Sequence, residues 1–255
     1  MDNTFRKLRI YNLIMGFFHF VQAMLMLFLS NDFRLPLTNS YLIFNRATSS
    51  LDTTTVEIYK IKIGPLVALF LFASAIAHFS LSLPRIYDWY VRNLKKKINY
   101  ARWWEYAVSS SIMIVVIAML NGIYSVSLLI ALFALNAIMI MCGMLMEIHN
   151  QTTKKTNWTA YVLGCFAGIM PWVIMAIYFF SAAFQVQNAI PTFVYFILAS
   201  IFVFFNIFGL NMYLQYKGYG PWKDYLFGEK VYILLSLVAK SLLAWQVFAG
   251  TLRPQ

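Results

Sequence analysis

Charged residues are scarce in this sequence, and acidic residues are the scarcest of all. Only 11% of the 255 residues are charged, whereas 61% are hydrophobic and 18% are aromatic. A soluble domain carries about 25% charged residues, so the composition excludes an ordinary soluble protein and predicts a polytopic helical membrane protein. The 20 lysines and arginines exceed the nine acids, for a net charge of +11. In a membrane protein this excess indicates basic loops on an anionic leaflet, and no nucleic-acid partner.

Cysteine is almost absent as well. The two cysteines, Cys142 and Cys165, both fall within hydrophobic stretches. They provide neither a disulfide framework nor the ligand spacing of a metal site. We therefore predict no metal centre and interpret both cysteines as small packing residues.

Seven hydrophobic segments account for most of the chain. Each is long enough for a helix that crosses a hydrocarbon layer about 30 Å thick. The first lacks a small-residue cleavage motif, so we expect no cleavable signal peptide. We predict an all-α membrane protein with a single domain, 1–255, built as a bundle of seven transmembrane helices. The approximate bounds of the segments are 8–30, 63–84, 101–121, 124–147, 158–183, 191–216 and 229–251.

The basic residues between these segments and at the segment ends are distributed unevenly. Fourteen lie at the end of the bundle that holds the N-terminus, and five lie at the other end. Basic loops favour the cytoplasmic side, so we expect a cytoplasmic N-terminus and an extracellular C-terminus. The stretch from Arg85 to Arg102 mixes basic and aromatic residues, which is typical of a helix lying on anionic lipid. Docking of a cytosolic signalling protein is the alternative role for this stretch.

The connection between the first two segments, about 31–62, is the longest outside the bundle. Its part from Thr53 to Ile61 is rich in β-branched residues with partial alternation, which predicts a strand. Long connections usually carry a function or an interaction surface. We predict a small external β-hairpin that caps the bundle or pairs with a second copy of the chain.

Lys240 is the only charge in the interior of the last segment. A helical rise of 1.5 Å per residue places it about 15 Å inside, near the middle of the bilayer. A charged lysine at that depth costs about 2.5–3.5 kcal/mol, so an ionisable group there indicates function. A lysine held in an apolar site can form a Schiff base with an aldehyde. A side chain that snorkels to the membrane surface is the alternative.

Glu105 is the one acidic residue that hydropathy places inside an apolar segment, because the other eight fall in loops or at segment ends. A buried charge is tolerable when it is paired. Helical side chains tilt toward the helix N-terminus, so Lys240 leans toward the half of the membrane that holds Glu105. We predict an ion pair between Lys240 and Glu105. A pair between Glu105 and Arg102, three residues earlier, is the alternative.

Two stripes of polar residues in the first and second segments each contain a histidine. If both stripes face the lysine and glutamate, they form a hydrated polar pocket in the half of the membrane that holds the N-terminus. The other half is apolar and has no second acid to relay a proton, so we expect a site open to one side. The stripes are Asn12, His19 and Gln22, and Ser74, His78 and Ser82.

Six short stretches, distributed along essentially the whole chain, carry a resemblance to a known family. They are 18–22 (FHFVQ), 31–36 (NDFRLP), 102–106 (RWWEY) with 109–111 (SSS), 168–172 (GIMPW), 213–218 (YLQYKG), and 235–241 (LSLVAKS) with 244–246 (AWQ). In these stretches the chain resembles the heliorhodopsins, retinal-binding microbial rhodopsins with an inverted membrane orientation.

The resemblance implies all-trans retinal on Lys240 as a protonated Schiff base, with Glu105 as its counterion. It also implies homodimers, an external sheet in the first loop, and a slow photosensory cycle without ion pumping. Around the Schiff base it implies His19, Gln22, His78 and Ser236. Along the retinal it implies Tyr106, Ser109, Asn136, Met139, Trp172 and Phe205.

We therefore expect a light-sensing photoreceptor that signals through its cytoplasmic loops and is not an enzyme. The alternative is a light-driven or light-gated ion transporter. Light-driven pumps commonly carry a second acid four residues before the lysine, and proton pumps often carry a donor acid 11 residues after the counterion; here these residues are Ser236 and Val116. Both absences argue against a pump. A third hypothesis is a carrier or enzyme that binds an aldehyde through Lys240.

Overall fold

The computed structural model describes residues 3–185 and 192–253. Within these ranges, seven helices are long and apolar enough to cross a membrane. The predicted seven-helix membrane bundle with a small two-stranded hairpin is confirmed. In chain order the elements are α1 Asn3–Leu29, β1 Arg34–Asn45, β2 Ser50–Lys62, α2 Ile63–Ser80, α3 Pro84–Lys95, α4 Tyr100–Leu120, α5 Val126–His149, α6 Thr159–Gln185, α7 Thr192–Lys217 and α8 Tyr225–Val247.

Two of the spanning helices begin earlier than hydropathy predicts. Helix α1 starts at Asn3 and not at residue 8, because its first turn stays helical outside the apolar layer. Helix α8 starts at Tyr225 and not at residue 229. The Asp224 side chain caps it by accepting a hydrogen bond from the backbone N–H of Leu226 at 3.0 Å. The predicted start of the sixth segment, residue 191, lies outside the described residues.

The second predicted segment, 63–84, is shorter in the structure, where α2 ends at Ser80 and Pro84 begins a new helix. Pro84 opens α3 and forces the preceding residue, Leu83, into an extended conformation with ψ of 140°. Helix α3 therefore runs along the end of the bundle as a short separate helix. One face of α3 buries Tyr87 and Tyr90 against the bundle. The helix predicted in this basic and aromatic stretch is thus present.

The hairpin extends over the whole first connection. Its antiparallel register runs from Arg34 opposite Lys62 to Asn45 opposite Ser50. The Asp32 carboxylate joins the two strands at the end of the hairpin nearest the bundle. Its Oδ2 lies 2.7 Å from Arg34 Nη2, and its Oδ1 lies 2.5 Å from Lys62 Nζ. The hydrogen bonds from Lys62 and Arg34 hold the pKa of the Asp32 carboxyl below its ordinary 3.8. These ion pairs therefore contribute fully to the stability of the fold above pH 3.8. The contribution is lost as the pH falls through the lowered pKa of Asp32.

The interior of the bundle is apolar at the hairpin end and polar toward the end that carries α3. At the hairpin end, the fully buried side chains include Ile114, Ile117 and Leu132. Toward α3, buried polar side chains replace them. They include Asn12, His19, Ser74, His78, Asn99, Arg102, Glu147, Glu229 and Lys240. The predicted division into a polar half and a dry half is present, and Lys240 lies where the two meet.

Candidate functional site

The site is built around an ion pair between α8 and α4. Lys240 Nζ lies 2.9 Å from Glu105 Oε1, and the exposed fractions of the two side chains are 4% and 8%. Lys240 also donates a hydrogen bond to Ser236 Oγ, one helical turn earlier, at 2.8 Å. The Ser74 hydroxyl of α2 donates to Glu105 Oε1 at 2.6 Å. Both charges are thus paired and hydrogen-bonded, as burial of an ion pair requires.

The alternative partner for Glu105 is excluded by the position of Arg102. The guanidinium of Arg102 points away from Glu105 and binds two other carboxylates, Glu147 and Glu229. The ring of Tyr106, the residue after Glu105, lies 5.0 Å below the Lys240 ammonium. The face of an aromatic ring attracts a cation at this distance. Tyr106 is held there by its own hydroxyl, which donates to the Tyr232 carbonyl at 2.7 Å.

The two predicted histidines meet between α1 and α2. The rings of His19 and His78 are stacked, with centroids 5.6 Å apart and an angle of 11°. His78 Nδ1 shares a hydrogen bond of 2.7 Å with Asn12 Oδ1. Both ring nitrogens of His19 are buried without a hydrogen-bond partner among the described residues. The histidine pair is therefore the least satisfied part of the polar pocket.

Gln22 does not join this pocket. Its Oε1 accepts a hydrogen bond from Trp245 Nε1 at 3.0 Å, and its Nε2 donates to the Phe18 carbonyl at 3.2 Å. The step of three positions from His19 to Gln22 turns the helix by about 300°, which leaves the two side chains about 60° apart. That offset turns Gln22 toward the outer surface of α8. The hydrogen bonds of Gln22 to Trp245 and Phe18 do not agree with its predicted position beside Lys240.

Ser109 of α4 and Asn136 of α5 both lie in the interior of the bundle. Ser109 is fully buried one turn from Glu105. Asn136 of α5 donates hydrogen bonds to Ser110 Oγ at 2.8 Å and to Ser111 Oγ at 3.0 Å. Asn136 therefore ties α5 to α4 through the two serines next to Ser109.

Two adjoining cavities with mainly apolar walls lie in the bundle near Lys240. The smaller, about 40 Å³, touches Lys240 and Ser236. The larger, about 180 Å³, reaches Trp172. Because five side chains line both, the two cavities are direct neighbours. We call the two together the apolar space, which Lys240 lines at one end. The shared residues are Tyr106, Met139, Ile140, Phe205 and Phe208.

Glycines shape the wall of this space. A Cβ atom at Gly168 would overlap the sulfur of Met139, and a Cβ at Gly143 would lie 2.5 Å from the Trp103 ring. Only a residue without a side chain allows Met139 and Trp103 to lie as they do. Trp172, at the far end, packs edge-on against Phe205 with ring centroids 5.5 Å apart. The predicted residues Tyr106, Met139, Trp172 and Phe205 thus line one space.

A second buried charge cluster was missed by the sequence analysis. Glu147 and Glu229 were interpreted as residues at segment ends and Arg102 as a loop cation. The structure instead buries all three, with side-chain exposures of 4% or less. Arg102 Nη2 lies 2.6 Å from Glu147 Oε1, and Arg102 Nη1 also binds Glu229. The interpretation of Glu105 as the one embedded acid is therefore wrong.

Neighbouring groups complete this Arg102 cluster. Glu147 also accepts hydrogen bonds from Trp103 Nε1 at 2.6 Å and from the backbone N–H of Asn99 at 3.0 Å. The Asn99 side chain donates to Glu229 at 2.7 Å. The available signal is that one cation and two acids fall at the same end of three helices, where Arg102 can pair with both carboxylates. Hydropathy does not tell such a cluster from three solvated side chains.

Comparison with known proteins identifies the family. The chain matches heliorhodopsin over residues 8–252. It belongs to the heliorhodopsin family. No curated protein matches the chain. Membership in this family, together with the seven-helix membrane fold, makes the chain a multi-pass membrane protein and a retinal-binding rhodopsin.

The residues around Lys240 fit a retinal chromophore. The lysine supplies a primary amine at the end of the apolar space, and Glu105 supplies a negative charge 2.9 Å from the nitrogen. Aromatic and sulfur-containing side chains line the space where a flat polyene requires apolar walls. The Ser236 and Ser74 hydroxyls provide the polar contacts at the reactive end.

Proposed function

We propose that this heliorhodopsin is a light sensor that binds all-trans retinal covalently at Lys240, with Glu105 as counterion. The observation that carries the proposal is the buried Lys240–Glu105 pair at the mouth of the apolar space. Bound retinal supplies the absorption of visible light and the change of shape that follows. The chain itself holds the chromophore, stabilises the positive charge on the lysine nitrogen and receives the movement.

Each residue near the lysine nitrogen has a distinct part in this proposal. Glu105 stabilises a positive charge on the Lys240 nitrogen, because opposite charges at 2.9 Å in a buried site attract strongly. Ser74 donates its hydrogen bond to Glu105 and keeps that carboxylate in place. His19 and His78 lie in the adjoining pocket as candidate acceptors when the nitrogen releases its proton. The proton thus has a place to go on the side of the bundle that carries α3.

The same proposal includes orientation, output and assembly. The excess of basic residues at the α3 end supports a cytoplasmic N-terminus and an extracellular hairpin. The basic outer face of α3 is then the surface through which a signalling protein would sense the movement. The hairpin exposes large apolar side chains such as Leu42, Phe44 and Tyr59. Exposed apolar patches mark interaction sites, which supports a homodimer formed with this surface.

Reconstitution with retinal tests the proposal directly. The purified protein, mixed with all-trans retinal, should develop a visible absorption band in place of the near-ultraviolet band of the free aldehyde. Borohydride reduction followed by peptide mass analysis should place the label on Lys240. The absence of a visible absorption band, or a label on another lysine, would contradict the proposal.

Replacing Glu105 by glutamine should shift the visible band to longer wavelength. The substitution keeps the shape of the side chain but removes the negative charge that stabilises the charged nitrogen. The visible form should also give way to a near-ultraviolet form at a lower pH than in the unsubstituted protein. Asp88→Asn, an exposed acid on α3, is the matched control and should leave the spectrum unchanged. An unmoved band in Glu105→Gln would remove Glu105 as the counterion.

Illumination should produce no ion current. The buried side chains between Lys240 and the hairpin end are predominantly apolar, and no buried acid lies among the described residues there. A proton route across a membrane normally needs relayed acids. The measurement is voltage clamp of cells that express the retinal-loaded protein, with a known light-driven pump as positive control. A reproducible photocurrent would instead support the alternative of light-driven or light-gated transport.

A further inference from the structure

A separate polar cavity of about 260 Å³ opens at the α3 end of the bundle. It lies apart from the retinal space and shares no lining residue with it. Three of its lining residues are lysines: Lys97, Lys154 and Lys223. No carboxylate is among the lining residues, so the cavity concentrates positive charge without an internal counter-charge.

The three lysines come from three different connections. Lys97 lies between α3 and α4, Lys154 between α5 and α6, and Lys223 between α7 and α8. All three connections lie at this end of the bundle, so the fold brings one cation from each to a single cavity. None of the three lysines forms an ion pair with another described residue. Their charges are therefore available to a ligand.

The turn that ends α3 places Lys97 on the cavity wall. Its φ is +58°, because Lys97 is the left-handed residue that closes the C-terminus of α3. The N–H of Lys97 donates to the Leu94 carbonyl at 2.9 Å, and the N–H of Ile98 donates to the Asn93 carbonyl at 3.1 Å. These backbone hydrogen bonds fix the position of Lys97 beside the cavity. Asp224, the acid next to Lys223, is engaged in capping α8 and does not line the cavity.

We propose that this lysine-lined cavity binds a phosphate group. Lysine is a compact cation that binds phosphate as a point charge, and three unpaired lysines match a group that carries close to two negative charges at neutral pH. Neutral donors complete the wall, among them Gln151, Thr153 and Tyr225. The cavity lies at the α3 end of the bundle, among the connections between the spanning helices. Both soluble molecules and lipid headgroups reach this level, so the phosphate group belongs either to a small soluble molecule or to a phospholipid headgroup.

The cavity is linked to the Arg102 cluster through Tyr225. The Tyr225 hydroxyl donates to Glu147 Oε1 at 3.2 Å, and Tyr225 also lines the cavity. A ligand that binds here and not to the unfolded chain stabilises the fold, and the stabilisation grows with the logarithm of the ligand concentration once this exceeds Kd. Phosphate should therefore raise the unfolding temperature of the protein as well as bind to it.

Inorganic phosphate is the first probe, titrated by calorimetry into the full chain held in nanodiscs of neutral phosphatidylcholine. We expect saturable binding that Lys97→Gln/Lys154→Gln weakens about tenfold, the equivalent of about 1.4 kcal/mol. The matched control is Lys96→Gln/Lys155→Gln, which removes the same charge from the adjacent residues outside the cavity lining. This control should change the affinity by less than about twofold. Equal weakening by the two double variants, or no saturable binding, overturns the proposal.

Nanodiscs that contain phosphatidic acid distinguish the two sources of the phosphate. Competition that abolishes the inorganic phosphate signal, with phosphatidic acid retained on the protein in native mass spectra, identifies a lipid headgroup as the occupant. An undiminished signal identifies a soluble phosphate compound. In both cases the rise in unfolding temperature at a fixed ligand concentration should be smaller in Lys97→Gln/Lys154→Gln, and an undiminished rise would place the ligand elsewhere.

Discussion

Lys240→Ala should form no covalent chromophore and show no visible absorption band with retinal. Among the residues that the structure describes, Lys240 is the only lysine that lines the apolar space, so none of these other lysines can take its place there. The measurement is the absorption spectrum after incubation with all-trans retinal, followed by denaturation to separate bound from attached retinal. A covalent chromophore that survives in Lys240→Ala would show that the attachment site is wrong.

Two further variants separate loss of attachment from loss of folding. Lys240→Ala leaves Glu105 buried without its partner, which by itself is destabilising. Lys240→Ala/Glu105→Gln removes both charges and should fold better than the single variant while still forming no visible band. Lys230→Ala is the matched control, because Lys230 lies on the same helix, outside the lining of the retinal space. That variant should keep the full visible band.

Arg102→Met should lower the free energy of unfolding by about 3–5 kcal/mol, the usual cost of removing one partner from a buried ion pair. The substitution leaves the carboxylates of Glu147 and Glu229 buried together without a cation. It also removes the contacts of the guanidinium with the rings of Trp103 and Tyr232, whose centroids lie 4.3 and 3.9 Å from Arg102 Cζ. Thermal unfolding in detergent or nanodiscs measures the loss.

Removing the whole charge cluster tests the reason for that loss. The triple variant Arg102→Met/Glu147→Gln/Glu229→Gln removes all three charges of the Arg102 cluster. It should therefore recover most of the stability that Arg102→Met loses. Arg92→Met, an exposed arginine on α3, is the matched control and should change stability by less than about 0.5 kcal/mol. If the triple variant were as unstable as Arg102→Met, packing and not unpaired charge would explain the effect.

Much of the fold could be predicted because it depends on local properties of the chain. A membrane span requires a long apolar run, and seven such runs are present. The hairpin followed from a β-branched stretch inside a long connection. The bounds were less accurate where capping and proline decide them, at Asp224 and Pro84, because these effects act on one or two residues and leave hydropathy unchanged.

The pairing of Lys240 with Glu105 was also predictable, because each stands alone in an apolar segment and each needs an opposite charge. Gln22 shows the limit of that argument. Helical spacing put it near the face of His19, but the rotation of α1 against α8 decides which neighbour it meets, and that neighbour is Trp245. Periodicity defines a face to within several tens of degrees, whereas a hydrogen bond requires an accuracy of a few tenths of an ångström.

The sequence by itself determined the seven spans, the hairpin and the central lysine–glutamate pair, since the free-energy cost of exposing or burying each of these groups depends on its own stretch of chain. Only the tertiary structure decided that Arg102, Glu147 and Glu229 form a buried cluster and that Lys97, Lys154 and Lys223 line one cavity. These sets come from three helices or three connections. Their assembly depends on how the helices rotate and tilt against one another, and side-chain packing across the whole bundle decides this.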